Sequence, residues 1–219
     1  MSWTVASALL LGVGLAAGFA WYERSRPSAQ TVALVASMAA LAVAGRLALA
    51  PFPNVVATTD IVLICGWALG AGPGFMVGSL AALISNLFLG QGPWTPWQMA
   101  AWGLIGVAGA GLAHLLGRSP SRWTLAAVGA AAGLLFGAFM NLSLVTVGGS
   151  EAASAQLAVL QARSLPFDLA HAVGNAAFAL LAGPALLSIL QRFRARFEVR
   201  WRAKEEQDRA SPTLPWGSY

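Results

Sequence analysis

The chain has 219 residues, 58% of them hydrophobic and only 10% charged, with a formal net charge of +5. That charged share is well below the roughly 25% of soluble domains, so a water-soluble globule is excluded in favour of an all-α integral membrane protein. The basic residues sit at the ends of apolar runs rather than in a nucleic-acid patch, and a single cysteine, Cys65, excludes an intrachain disulfide or a cysteine-built metal cluster.

Seven apolar runs follow one another, at residues 5–21, 31–50, 55–70, 75–89, 99–116, 123–147 and 169–190. A helix that crosses a bilayer needs about 20 apolar residues, so seven spans are predicted. The first run carries no charge before it, in Met1-Ser2-Trp3-Thr4, and Arg24 and Arg26 after it. That order favours an uncleaved helix with its N-terminus outside over a secretory signal. It holds almost nothing polar and is expected at the periphery, facing lipid. The third and fourth runs are short and meet at Gly70-Ala71-Gly72-Pro73-Gly74. Glycine and proline together mark a tight connection between two spans, with one bent helix as the alternative.

Between the fourth and fifth runs lies Gly90-Gln91-Gly92-Pro93-Trp94-Thr95-Pro96-Trp97-Gln98-Met99. Its prolines stop a helix and its tryptophans suit a membrane–water boundary. The segment is read as the rim of a pocket open to the outside, its tryptophans either stacking on a ligand or anchoring the loop. Residues 148–166 are on the same side and are expected to add a lid, with a short surface helix over 155–163. The tail from Arg192 alternates aromatic and basic residues, which suits either an anchor on anionic lipid or a docking surface for a cytoplasmic partner.

Orientation follows from the thirteen Lys and Arg residues. Arg24, Arg26, Arg118, Arg122, Arg192, Arg194, Arg196, Arg200, Arg202, Lys204 and Arg209 fall on one side of a seven-span chain, and only Arg46 and Arg163 on the other. The basic side is cytoplasmic, which places the N-terminus outside and the C-terminus inside. The predicted organisation is an extra N-terminal helix with its loop (1–30), a six-helix membrane domain (31–191) and a basic cytoplasmic tail (192–219).

With that topology the intramembrane polar groups share one depth, the outer half of the bilayer; His114 is the main exception. Polar groups there are costly and mark candidate sites. The candidate substrate-binding set is Arg46, Asn54, Asp60, Asn86, Gln91, Trp94, Trp97, Asn141, Asp168, His171 and Asn175, with Thr58, Thr59, Ser143 and Thr146 nearby. Asp168, His171 and Asn175 stand at i, i+3 and i+7, on one helix stripe facing the bundle. Each has a plain structural alternative. Thr59, Asp60 or Asp168 would cap a helix, Arg46 would snorkel, His171 would join two helices, and Asn86 and Asn141 would bridge helices. No Walker A, zinc or Gly-x-Ser-x-Gly pattern is present. A Ser150–His171 pair is the one conceivable nucleophile and base. No resident cofactor or metal is expected.

These residues resemble the substrate-binding S component of an energy-coupling factor (ECF) transporter. The resemblance covers residues 31–190 and rests on three stretches. They are the second run ending in Arg46-Leu47 before Pro51-Phe52-Pro53-Asn54, the connection Gly66-Trp67-Ala68-Leu69-Gly70 to Gly74-Phe75 and Gly78, and the stretch Asn86 to Met99 with its tryptophan loop. The helix at residues 5–21 departs from the usual six-span component. The resemblance implies a prokaryotic plasma-membrane protein that binds a vitamin near the outer face and delivers it with a T component and two ABC-type ATPase subunits. The leading candidate is a cobalamin-like corrinoid, with riboflavin, another B vitamin or a queuosine precursor open. It also implies a small-residue docking face for the T component at Ala36, Ala40 and Ala44. Two other readings stand beside it, an intramembrane enzyme using His171 and Asp168, and a ligand-free membrane scaffold.

Overall fold

Glycine and proline decide where the helices of this chain end. The structure, a computed structural model, describes residues 3–148 and 153–210, and the side-chain surroundings of 5–146 and 155–196. Eight helices run in order: α1 (Trp3–Arg24), α2 (Ala29–Ala48), α3 (Thr58–Leu69), α4 (Ala71–Leu89), α5 (Thr95–Leu116), α6 (Arg122–Gly148), α7 (Ala153–Leu181) and α8 (Gly183–Ala210). No strand occurs among the described residues. Among the described residues five helices, α1, α2, α4, α5 and α6, are long and apolar enough to cross a bilayer, or six spans if α7 and α8 together make one. That is the make-up of a multi-pass helical membrane protein.

Gly70 alone separates α3 from α4, at φ 105°, a left-handed conformation that disfavours any side chain. A Cβ on Gly74 would lie 2.7 Å from the Gly66 Cα. In one continuous helix these residues would be about 12 Å apart. The chain therefore reverses at Gly70, and the tight connection of two helices holds over the single bent helix.

The middle of the molecule is α3. Its residues Thr58 to Ala68 are all buried, beneath α2, α4, α5 and α8 with α6 and α7 alongside. Close approach there depends on missing side chains. A Cβ on Gly66 would sit 1.8 Å from the Gly106 carbonyl oxygen, and one on Gly106 would sit 2.2 Å from the Gly74 carbonyl carbon. Backbone meets backbone where α3, α4 and α5 cross, the small-residue packing that membrane helices use in place of a hydrophobic driving force. The second unit is the hairpin of α6 and α7.

The first helix lies outside this core, as expected. Its C-terminal part docks on α4, with Phe19 edge-on to Phe75 at 5.8 Å between ring centroids and Gly18 against the same ring. Leu9, Leu10 and Val13 are exposed.

The last apolar run departs from expectation. Residues 169–190 do not form one helix; they end α7 and begin α8, which bend by 61° at Ala182. Pro184 lacks the donor and the room to continue α7. Nor do residues 155–163 make a separate surface helix. They are the first turns of α7, which passes through Pro166 without ending, the ring standing on an exposed position. Ser150 lies outside the described residues, as does part of the expected lid at 148–166. The expected boundary at 191/192 falls inside α8.

Candidate binding site at one end of the bundle

Most of the candidate polar residues meet at one end of the bundle, where α2 and α4 end and α3 and α5 begin. Arg46, in the last turn of α2, donates to Asn86 Oδ1 at 2.8 Å and to Ser85 Oγ. Asn86 Nδ2 donates onward to Thr95 Oγ1 (2.9 Å) and Gln98 Oε1 (2.7 Å). Gln91 closes this loop: its Oε1 accepts from Thr95 Oγ1 at 2.9 Å and its Nε2 donates to the Leu83 carbonyl. The segment between α4 and α5 is thus stitched to the Arg46 guanidinium through one buried asparagine.

The same guanidinium lies over Trp102, 4.8 Å from the ring centroid, a cation–π contact. Trp102 stacks on Phe136 of α6 at 4.5 Å, and Phe136 meets His171 edge-on at 5.4 Å. Trp102 Nε1 donates to Thr59 Oγ1 at 3.0 Å. Indole is a donor only, so the Thr59 oxygen accepts there, and the same hydroxyl shares a hydrogen bond with His171 Nε2, 2.8 Å away. Arg46, Trp102, Thr59 and His171 therefore form one connected run from α2 through α5 and α3 to α7.

A second cluster lies along the α6–α7 hairpin. Asn141 Nδ2 donates to Gln161 Oε1 and Ser164 Oγ, and Ser164 donates to Asp168 Oδ2 at 2.6 Å. Gln161, Ser164, Asp168, His171 and Asn175 form one stripe on α7, at spacings of three and four. Facing it, α6 presents Gly129, Gly133 and Gly137, each so close that a Cβ would strike Asp60, Asn175 or Asp168 respectively. The glycines bring the two backbones together, and the polar stripe fills the seam.

The remaining candidates sit around these clusters. Asn54, at φ 57°, donates from Nδ2 to the Phe167 carbonyl at 2.8 Å and ties the loop after α2 to α7. Asp60 and Asn175 are buried against Gly129. The two loop tryptophans part company. Trp94 is 42% exposed, its ring folded over Gly92, whereas Trp97 is buried and tilted against Phe139 at 5.6 Å. Along α2, Ala36, Ala40 and Ala44 are exposed while Val35, Ala39, Ala42 and Val43 are buried. The small-residue face points away from the bundle.

Sequence reasoning missed Ser85, Gln98, Trp102, Phe136, Gln161 and Ser164. The last two were legible as the upstream continuation of the α7 stripe, and Gly129-x-x-x-Gly133-x-x-x-Gly137 announced the facing helix. Trp102 and Phe136 sit in unbroken apolar runs and carry no such signal. The opposite end of the bundle is simpler: Trp67 Nε1 donates to the Gly117 carbonyl and Gln191 to the Arg118 carbonyl.

A scan of protein-family models found no match, and neither the curated proteins nor the solved structures yielded one.

Proposed function

We propose that this chain is the micronutrient-binding S component of an ATP-driven ECF-type importer in a prokaryotic plasma membrane. In this reading it takes a vitamin from the outer face, with a cobalamin-like corrinoid as the leading candidate. It delivers the vitamin by associating with a T component and two ATPase subunits, and hydrolyses nothing itself. The observation that carries the reading is the connected polar and aromatic run from Arg46 through Trp102 and Thr59 to His171, linked through Asn86 and Thr95 to Gln91 of the Gly90–Trp94 segment. Buried polar side chains in a membrane interior are expensive, and a connected set drawn from four helices marks a candidate functional site. The outward face of Ala36, Ala40 and Ala44 is consistent with close docking of another helix.

An enzyme has less to work with. His171 Nε2 is engaged by Thr59, its Nδ1 has no partner among the described residues, and Asp168 Oδ2 is engaged by Ser164, so no hydrogen bond joins His171 to Asp168 as base and acid. The test is direct binding. Full-length protein purified in detergent is titrated calorimetrically, without ATP, with a vitamin panel that includes cobalamin. One compound should bind, and Arg46→Ala should weaken it by about tenfold or more while helical content stays unchanged. A panel with no binder overturns the reading. A binder indifferent to Arg46→Ala moves the site elsewhere.

A further inference from the structure

Both carboxylate oxygens of Asp60, Oδ1 of Asn175 and Nδ1 of His171 find no hydrogen-bond partner among the described residues. Asp60 is 1% exposed, and Asn175 and His171 are wholly buried. Asp60 and Asn175 converge on one spot. A Cβ built on Gly129 of α6 would lie 2.4 Å from Asp60 Oδ1 and 3.6 Å from the Asn175 Cβ. Asn175 Nδ2 donates to the Gly129 carbonyl at 3.0 Å, which fixes the amide and leaves Oδ1 as the free atom. Asp60 and Asn175 thus both border Gly129, and three of their oxygen acceptors have no hydrogen-bond donor set against them among the described residues.

If Asp60 is ionised its charge needs a partner, because an ionised carboxylate buried alone costs far more than a folded protein can spare. The charged and titratable groups nearby do not supply it. Arg46 is committed to Ser85, Asn86 and the Trp102 face. His171 is engaged through Nε2 with Thr59. Asp168 is another carboxylate and is bonded to Ser164.

We propose that Asp60 and Asn175 bind one monovalent alkali cation, sodium or potassium, against Gly129, tying α3, α6 and α7 together. Carboxylate and amide oxygens suit a hard cation. A single positive charge cancels a single carboxylate, whereas a divalent ion would leave an excess charge in the interior. No group of three or more His, Cys, Asp or Glu that could hold a metal ion occurs among the described residues, so the site offers one carboxylate and one amide. The site stands whether or not the import reading does.

Thermal unfolding of full-length protein in detergent tests it, with NaCl or KCl replacing N-methylglucamine chloride at fixed ionic strength. The wild type should gain a saturable, cation-specific rise in melting temperature. Asn175→Ala should raise the half-saturating concentration by about tenfold. Asp60→Asn keeps the shape, needs no counter-ion, and should lose the rise. A wild type with no cation-specific rise overturns the proposal and leaves Asp60 protonated, as does an Asp60→Asn variant that retains it. Should Asp60→Asn fail to fold, equilibrium dialysis of the wild type with radioactive sodium and rubidium decides. One ion per chain supports the site, and no stoichiometric uptake refutes it.

Discussion

Asn86 shows how much one side chain carries at the polar end. Its Oδ1 accepts from the Arg46 guanidinium, and its two amide hydrogens go to Thr95 and Gln98. Leucine has nearly the same size and none of these functions. Asn86→Leu should destabilise the protein by about 2 kcal/mol, since a buried bond to a charged donor is lost and interhelical bonds in membranes lie at the low end of their range. Denaturant unfolding in mixed micelles measures this, and a variant as stable as the wild type would show that Arg46 finds equal partners elsewhere. At this scale the sequence was legible where polarity broke an apolar run. Arg46, Asp60, Asn86, Asp168, His171 and Asn175 all stood out for that reason. Aromatic members such as Trp102 and Phe136 did not, because a ring in an apolar run looks the same whether it packs a core or faces a guanidinium.

Glycines govern the level of helices, and they act in opposite ways according to what they face. On α5, Gly106 is pressed onto Gly74 and Gly66, while Gly111 has nothing within 4 Å of where a Cβ would stand. Gly106→Ala should push α4 and α5 apart and lower the melting temperature or abolish folded yield. Gly111→Ala should be neutral, or stabilise by up to about 1 kcal/mol from helix propensity. Fluorescence-detected size exclusion with a temperature ramp compares the two, and equal behaviour would remove the glycine crossing from the account of this fold. Helix ends were readable wherever glycine took a left-handed conformation, as at Gly70 and Gly90. The two prolines of the last part misled. Pro166, on an exposed face, sits inside α7 and hid the continuity of the stripe from Gln161 to Asn175. Pro184 passed for part of a span although it begins a new helix after the 61° bend.

For the whole molecule, the orientation proposed from the distribution of Lys and Arg has the Gly90–Trp94 segment outside and the loop between α5 and α6 inside. Cysteine scanning checks this cleanly, because the native Cys65 is fully buried and contributes no background labelling. In intact cells, an impermeant maleimide should label Pro93→Cys at once and Ser119→Cys only after permeabilisation. The reverse pattern would invert the topology. Seven crossings were counted from hydropathy, yet the helix at the centre of the molecule is the one least able to cross. With 12 residues, α3 is about 18 Å long against a hydrocarbon layer of about 30 Å. It is sheltered on all sides, so its short length does no harm in the finished protein. During synthesis it has no such shelter, so α3 is expected to enter the bilayer only together with α4, hinged to it at Gly70, and α5. The heart of this protein would then be installed after its walls, out of the order in which its residues are translated.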